Sequence, residues 1–278
     1  MSVIHRWLHK TILGDKLAMI IFFFGGIFLL WYELSYVTAF NHSDWSVAYT
    51  IHFLLGIFFA VNIYGNWLMM YLTDVTGKNI VFPTGSGPPG WHYCSACEAN
   101  LPPRSHHCPL CKVCTLKYDH HCWFAGTCVG YSNHRYFFAL CIHIVAVGLY
   151  CNIYNWNFVW DMKGEITPLS IFSFILPHLT GVLGYETWFS FCVTTISMIG
   201  FSLTVLFSWL LQIQVVQVIS GQTRYERKKN ITEYDLGLWA NIEEVLGHRM
   251  FLVLLCPWLP SSLPGDGVRF YSQSQKGS

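Results

Sequence analysis

Four long apolar stretches dominate the pattern of hydrophobic and polar residues along the chain. They cover roughly Leu17–Phe40, Val47–Leu72, Tyr136–Trp160 and Trp188–Val218. A helix that crosses a bilayer takes about 20 residues, and each stretch reaches that length. The first stretch is too long for a signal peptide and has no small-residue cleavage site, so we interpret it as an uncleaved anchor. The pattern predicts an all-α polytopic membrane protein with four transmembrane helices.

Two shorter apolar segments are further candidates for membrane spans and could change the count of four. Pro177 interrupts Leu169–Leu183, and three prolines lie in or next to Met250–Leu263. A fifth span at the first segment would put the basic C-terminal tail on the opposite side from the other basic segments. We therefore predict that Leu169–Leu183 is re-entrant or interfacial, and that Met250–Leu263 packs against the membrane-facing core.

A few polar residues interrupt the apolar stretches. Polar side chains inside a membrane usually face the protein interior. The candidates for a polar cavity are His52, Asn62, Asn66, Glu33 and His143. Glu33 lies near the end of the first stretch, where we expect its carboxylate to reach back to water.

Lysine and arginine are distributed very unevenly among the connecting segments. They occur in the N-terminal tail (Arg6, Lys10, Lys16), the central loop (Lys78, Arg104, Lys112, Lys117, Arg135) and the C-terminal tail (Arg224, Arg227, Lys228, Lys229, Arg249, Arg269, Lys276). Only Lys163 falls in the loops on the other side of the predicted membrane. Cytoplasmic loops are enriched in these residues, so we expect both termini and the central loop to be cytosolic.

This arrangement predicts four segments. Residues 1–72 would hold the N-terminal tail and the first two spans, and residues 73–135 a cytosolic cysteine-rich domain. Residues 136–218 would hold the last two spans and the non-spanning segment near 169–183. Residues 219–278 would form a cytosolic C-terminal segment that packs on the membrane core.

Composition supports a membrane protein. The chain is 53% hydrophobic and only 11% charged, whereas a soluble domain carries about 25% charged residues. A net charge of +1 argues against a nucleic-acid partner, because phosphate binders show a basic surplus.

The central loop concentrates potential metal ligands. Seven of the eleven cysteines fall between Cys94 and Cys128, in the spacing Cys94-x2-Cys97-x10-Cys108-x2-Cys111-x2-Cys114-x7-Cys122-x5-Cys128. Cys-x-x-Cys pairs with nearby histidines are typical of tetrahedral zinc sites with reduced thiols, which suits the cytosol. Two four-ligand sites could form and leave one cysteine over. Spacing alone does not choose between His106 and His107 or between His120 and His121, and His92 is a further spare. No internal repeat is evident.

The loop resembles a known family. The similarity runs from Cys94 through the Asp119-His120-His121-Cys122 tetrad and Cys128 to Asn133 and Phe137. It is similar to the DHHC-type cysteine-rich domain of the protein S-acyltransferases, or palmitoyltransferases. The resemblance implies a membrane enzyme that transfers a long-chain acyl group, such as palmitoyl, from acyl-CoA to cysteines of proteins. It also implies two closed, structural zinc sites, formed by Cys94, Cys97, His107 and Cys114, and by Cys108, Cys111, His121 and Cys128.

That assignment leaves three residues of the tetrad for chemistry. A thiolate is the reactive form of cysteine, and a histidine oriented by a carboxylate is the usual means of producing one. We expect Cys122 to be the nucleophile, His120 the general base and Asp119 the group that orients it. The expected partners are acyl-CoA, the bilayer and proteins with cytosolic cysteines near the membrane. Arg104, Lys112 and Lys117 are candidate contacts for the CoA phosphates, or else solvated loop charges. We expect an endomembrane location, in the endoplasmic reticulum or Golgi.

Some positions depart from the family. Relatives have Pro-Trp and a pair of asparagines after the tetrad, where this chain has Trp123-Phe124 and Gly126-Thr127. The family's Thr-Thr-x-Glu element reads Thr223-Arg224-Tyr225-Glu226. These changes motivate one alternative, a catalytically impaired membrane scaffold that keeps the zinc fold. A further alternative is a thioesterase-like enzyme, in which water takes the acyl group from Cys122. Asn241, in a C-terminal segment that also resembles the family, is expected either to have a fixed hydrogen-bonding role or to cap a helix.

Overall fold

The computed structural model describes residues 12–76, 88, 90–164 and 167–272. The helices in these ranges are α1 (Leu13–Asn41), α2 (Val47–Leu72), α3 (His134–Lys163), α4 (Pro168–Ile175), α5 (Pro177–Val182), α6 (Trp188–Ile219), α7 (Arg224–Lys228) and α8 (Leu238–Leu246). Four of them, α1, α2, α3 and α6, are long and apolar enough to cross a membrane. The predicted four-helix membrane architecture is confirmed. The four-segment division stays a prediction, and the basic residues Arg6, Lys10, Lys78 and Lys276 lie outside the described residues.

The two shorter apolar segments do not form long helices. Residues 169–183 are divided between α4 and α5, because Pro177 starts a new helix and ends the hydrogen bonding of the previous one. These helices have 8 and 6 residues, well below the roughly 20 that a span takes. In Met250–Leu263, Val253 is buried against Val218 of α6. This contact supports the prediction that the segment packs against the membrane core.

Six three-residue strands form the cysteine-rich part of the chain. They are β1 (His92–Cys94), β2 (Ala99–Leu101), β3 (His106–Cys108), β4 (Val113–Thr115), β5 (His120–Cys122) and β6 (Thr127–Val129). The strands pair into three separate antiparallel hairpins, β1–β2, β3–β4 and β5–β6. Strands this short carry little stability of their own, so the hairpins need cross-links to hold them.

The three hairpins are copies of one unit. Equivalent positions are 14 residues apart: His92, His106 and His120 begin the first strands, and Cys94, Cys108 and Cys122 end them. We call the turn that follows each of these cysteines a knuckle; the knuckles are Cys94–Cys97, Cys108–Cys111 and Cys122–Ala125. The residue after each knuckle has a left-handed backbone, with φ of 50° at Glu98, 54° at Lys112 and 60° at Gly126. The expectation that the sequence contains no repeat is therefore wrong.

The chain divides into two compact units, each drawn from several segments. The first unit comprises Met1–Phe23, Asn62–Leu140 and Gln212–Ser278, and the second comprises Phe24–Val61 and Cys141–Leu211. The three hairpins, α7 and α8 belong to the first unit. All the residues of the tetrad therefore lie in the first unit.

The second unit corrects one expectation about a charged residue. Glu33 does not reach back to water: it is 7% exposed, and its carboxylate lies 3.1 Å from Nε2 of His52. The hydroxyl of Tyr150 lies 3.2 Å from the other ring nitrogen of His52. A carboxylate among apolar helices is costly unless it is paired, which accounts for this cluster. His52, Asn62, Asn66 and His143 are also buried, so they face the protein interior; a polar cavity around them stays a prediction.

Candidate metal and thiol site

The hairpins bring together two groups of potential metal ligands. One consists of Cys94, Cys97, His107 and Cys114, and the other of Cys108, Cys111, His121 and Cys128. These are the two sets that the family resemblance implied. Each set joins the two cysteines of one knuckle to a histidine and a cysteine of the next hairpin. The latter two face each other across the strands, as His107 with Cys114 and His121 with Cys128.

The geometry of both groups fits a tetrahedral ion. With zinc–sulfur bonds of about 2.3 Å and zinc–nitrogen bonds of about 2.0 Å, a tetrahedral site separates nitrogen from sulfur by about 3.6 Å. In the first group, Nδ1 of His107 lies 3.3 Å from Sγ of Cys97 and 3.6 Å from Sγ of Cys114. In the second group, Nδ1 of His121 lies 3.2–3.8 Å from the three sulfurs. Four protein ligands would close each site, so an ion held here would be structural.

The third knuckle has no metal partners among the described residues. Ala125 occupies the position of the second cysteine, and α3 begins at His134 where a fourth hairpin would be needed. Cys122 is therefore the first cysteine of a knuckle that is never completed, which explains why one cysteine is left over. The amide groups of Phe124 and Ala125 still face the Cys122 sulfur, as those of Ala96 and Cys97 face the sulfur of Cys94.

The Cys122 thiol is shielded from solvent. Its residue is 2% exposed, and burial raises the pKa of the thiol to about 12, although the amide groups of Ala125 and Phe124 oppose that increase. No side-chain hydrogen bond joins Cys122 to His120 within the described residues. Burial therefore disfavours the thiolate, and a base has to take the proton of the thiol before the sulfur reacts.

Strand geometry separates the two histidines of the tetrad. Successive side chains of a strand point to opposite faces, so His120 and Cys122 share one face of β5 while His121 points to the other. Nδ1 of His120 donates a hydrogen bond of 2.7 Å to Oδ2 of Asp119. This bond fixes the tautomer and leaves Nε2 of His120 as the basic nitrogen. The ring of Phe137 packs edge-on against the imidazole at 4.7 Å between centroids.

Asp119 is the most heavily hydrogen-bonded carboxylate of the site. Besides His120, it accepts hydrogen bonds from Nε2 of Gln217 at 2.6 Å, Nε2 of Gln214 at 3.2 Å and the backbone amide of Arg224 at 2.8 Å. Burial alone would favour the neutral acid. The hydrogen bonds that it accepts, from His120 first and also from the amide of Arg224, outweigh burial and hold the pKa of Asp119 below its usual range. The carboxylate is thus ionised and fixed in place, as an orienting group needs to be.

The element after α6 positions one of these donors. Thr223 and Glu226 form a capping box at the start of α7, in which each side chain accepts a hydrogen bond from the other residue's amide. The box presents the amide of Arg224 to Asp119. Because this contact uses the main chain, the arginine in place of the family's second threonine preserves it. Gly126 likewise suits its position, since its φ of 60° is tolerated by both glycine and asparagine.

The three predicted CoA contacts lie in different environments. Arg104 is 6% exposed and pairs with both oxygens of Glu226, at 2.7 and 2.8 Å, and with Glu244 at 3.3 Å. Lys117 is 5% exposed and lies 3.2 Å from Glu244. These contacts assign Arg104 and Lys117 a structural role in holding the C-terminal segment. Lys112 is exposed, and its contact with CoA stays a prediction.

The structure also shows the contacts of His106 and Asn241. His106 packs against Tyr225, with ring centroids 4.5 Å apart, and belongs to neither metal group. Asn241 donates to Ile219 and Asp235 and accepts from the amide of Leu236. Its expected fixed role is therefore confirmed.

Sequence reasoning missed Asp15, Gln214 and Gln217 as parts of the site. Asp15 reaches His121 from the first turn of α1. The two glutamines are three residues apart, on one face of α6, near the end of a largely apolar helix. A polar pair with this spacing in a membrane span is a usable signal.

Comparisons with known proteins agree with this geometry. A family model described as DHHC palmitoyltransferase matches residues 88–231. "Probable palmitoyltransferase ZDHHC24" of Danio rerio is 34% identical over 233 residues, which cover 82% of this chain and 78% of that protein. The Homo sapiens protein of the same name is 31% identical over 232 residues, covering 83% of this chain and 82% of that protein. The matched region contains both metal groups, Cys122 and the donors to Asp119 from α6 and α7.

Proposed function

Because this chain belongs to the DHHC palmitoyltransferase family, we propose that it transfers a long-chain acyl group from acyl-CoA through an acyl-Cys122 intermediate to protein cysteines. The observation that carries the proposal is the free thiol of the third knuckle beside a histidine–aspartate pair. Palmitoyl is the acyl group that the names of the family and of the relatives indicate. The retained set of Asp119, His120 and Cys122 argues against a scaffold without activity, which would have no need of it.

The first half-reaction forms the acyl-enzyme. Nε2 of His120 takes the proton of Cys122, and the thiolate attacks the thioester carbonyl of acyl-CoA. A bond forms between this carbon and Sγ of Cys122, the bond to the CoA sulfur breaks, and CoA leaves with the proton from His120. The hydrogen bond from His120 to ionised Asp119 stabilises the imidazolium that forms between these steps.

The second half-reaction passes the acyl group on. The thiol of a substrate protein gives its proton to His120 and attacks the carbonyl of acyl-Cys122. The new thioester forms on the substrate, and Cys122 leaves as a thiolate that recovers the proton. Because the amide groups of Phe124 and Ala125 face this sulfur, they favour the thiolate as both nucleophile and leaving group.

The metal sites serve structure in this scheme. Zinc is the ion that suits two sets of three cysteines and one histidine with closed tetrahedral geometry. The residues that would hold it are those of the two metal groups. The ions would cross-link short hairpins that have little core of their own, and so fix the loop that carries Cys122.

The membrane would hold the acyl chain of acyl-CoA while the CoA part stays in water. A long acyl chain gains about 0.8 kcal/mol for each CH2 group that it buries, so it would lie among the apolar helices while CoA stays in water. The distribution of basic residues supports a cytosolic position for the hairpins. The substrates would be cytosolic cysteines close to a membrane.

The test is formation of the acyl-enzyme. We would incubate the detergent-purified protein with alkyne-tagged palmitoyl-CoA beside Cys122→Ser, with Cys256→Ser as a control for a cysteine outside the site. We expect hydroxylamine-sensitive label on the wild type and on Cys256→Ser, and none on Cys122→Ser. Equal label on Cys122→Ser would remove Cys122 from the mechanism. No label on a folded wild type that retains its metal would favour the scaffold.

A further inference from the structure

A buried acidic residue lies behind the second metal group. Asp15, in the first turn of α1, is 2% exposed. Both of its carboxylate oxygens lie 3.2 Å from Nε2 of His121. The residues are 106 positions apart in sequence, so only the fold brings them together. Both belong to the first compact unit.

The two nitrogens of His121 have different partners. Nδ1 faces the sulfurs of Cys108, Cys111 and Cys128 at 3.2–3.8 Å, while Nε2 faces Asp15. A carboxylate accepts hydrogen bonds and cannot donate them when ionised, so Nε2 must carry the proton. The lone pair of Nδ1 is then directed at the metal position. This is the arrangement of a metal-binding histidine oriented by a carboxylate.

A simpler role for Asp15 is to complement the dipole at the start of α1. An acid in the first turn of a helix contributes about 0.3–1 kcal/mol in that way. An exposed side chain would suffice for that role. Burial of a carboxylate is costly unless a specific partner repays it, and the partner here is a histidine of the metal group.

We infer that Asp15 is a positioning residue for the second metal site, holding His121 in the tautomer and orientation that bind zinc through Nδ1. The inference rests on the metal-binding part of the proposed function, and not on acyl transfer. Its consequence is local: His121 is followed directly by Cys122, so Asp15 also anchors the backbone that carries the nucleophile. The first metal group has no such support, since no carboxylate of the described residues pairs with His107.

The test measures zinc, so acyl-CoA is not needed. We would purify the full-length wild type, Asp15→Ala, Asp15→Asn and the exposed control Asp44→Asn in detergent. Zinc content and the rate of zinc transfer to a coloured chelator would be measured for each. Two zinc ions released in two phases are expected for the wild type. Asp15→Ala should speed one phase by about 10–100-fold, which is the usual effect of losing an outer-shell partner, and leave the other unchanged.

Asp15→Asn separates the hydrogen-bonding role of Asp15 from the effect of its negative charge. The amide introduced by Asp15→Asn retains an oxygen that accepts from Nε2 of His121, so this variant should restore part of the slow release. Asp44→Asn should match the wild type. If Asp15→Ala speeds neither phase, or both equally, the inference is overturned. Asp15→Asn remains informative if Asp15→Ala fails to fold: a neutral amide is a weaker acceptor than a carboxylate, so it should speed one phase moderately, and an equal acceleration of both phases would overturn the inference.

A double-mutant comparison tests whether Asp15 acts through His121. His121→Cys retains a zinc ligand and removes the ring that Asp15 contacts. Adding Asp15→Ala to this background should not change zinc release further. An equal acceleration in both backgrounds would show that Asp15 acts elsewhere. Failure of acyl-enzyme formation in the earlier test would leave these outcomes unaffected, so the two proposals fail separately.

Discussion

The second and third hairpins have the same backbone conformation and differ in the role of the cysteine that ends their first strand. Both place a cysteine at the end of the first strand, followed by a turn whose last residue precedes a left-handed position. Cys111 completes the second knuckle, whereas Ala125 leaves the third one open. The second knuckle thereby offers its sulfurs to a metal group, and the third keeps Cys122 outside both groups. One residue separates a turn that offers two sulfurs to a metal group from a turn with a single free thiol.

Removing a metal-binding cysteine should have the largest effect. Cys111→Ser should lower the zinc content from two ions to one and unfold the second and third hairpins, because structural zinc is linked to folding by about 10–16 kcal/mol in peptide models. Cys122→Ser should keep both ions and the melting temperature of the wild type. Metal analysis and thermal melting would check both. Loss of an ion from Cys122→Ser would break the distinction between the knuckles.

A second cysteine in the third knuckle should convert it from a turn with a free thiol into a turn that can bind zinc. In Ala125→Cys, two thiols at Cys-x-x-Cys spacing can chelate zinc, so added zinc should lower acyl-enzyme formation at least tenfold and a chelator should restore it. Ala125→Ser has a similar size but no thiol, and it should stay insensitive to added zinc. The measurement is acyl label against zinc concentration. Equal sensitivity of the two variants would disprove the equivalence of the knuckles.

Removing a hydrogen-bond donor to Asp119 should have a smaller effect, which slows acyl-enzyme formation and leaves both metal groups intact. Gln217→Ala removes the 2.6 Å donor to Asp119, and a hydrogen bond to a charged group contributes about 1.5–3 kcal/mol. We expect acyl-enzyme formation to slow by about tenfold or more with zinc content unchanged. Gln212→Ala, at an exposed position of the same helix, is the control. A rate equal to that of the control would exclude Gln217 from the site.

The smallest expected effect concerns the exposed cation after the second knuckle. Lys112→Gln should raise the KM for palmitoyl-CoA about twofold to threefold at low salt, in line with about 0.2–1 kcal/mol for an exposed ion pair, and less at high salt. Glu98→Gln changes the equivalent residue of the first hairpin and should not raise it. Steady-state kinetics at two ionic strengths would decide. No change in KM at low salt would mean that Lys112 does not contact CoA.

The sequence predicted the fold well because hydrophobicity determines most of it. The second apolar stretch has the bounds of α2, and the fourth ends one residue short of α6 at Ile219. A long apolar segment has few alternatives to a helix in a membrane, since its backbone must satisfy its own hydrogen bonds. Local spacing also predicted that two four-ligand sites could form, and the family resemblance implied the two ligand sets.

Contacts between distant segments were beyond sequence reasoning. Gln217 meets Asp119 across 98 positions, and no spacing rule connects them. Arg104 is a candidate phosphate contact or solvated loop charge by sequence, yet it lies in a buried pair with Glu226. The position of Glu33 near the end of the first stretch predicts contact with water, yet its carboxylate is paired with His52. A charge is buried only when the fold supplies a partner, and the partner is known only from the fold.

The sharpest experiment on this division of roles is to locate the acyl group among the three knuckle cysteines. The zinc-loaded protein would be exposed briefly to palmitoyl-CoA, digested without reduction of thioesters, and analysed by mass spectrometry for the peptides of Cys94, Cys108 and Cys122. We predict the acyl group on Cys122, with Cys94 and Cys108 unmodified while both zinc ions are bound. Acylation of Cys94 or Cys108 in zinc-loaded protein, or an unmodified Cys122, would contradict the assignment of Cys122 as the nucleophile.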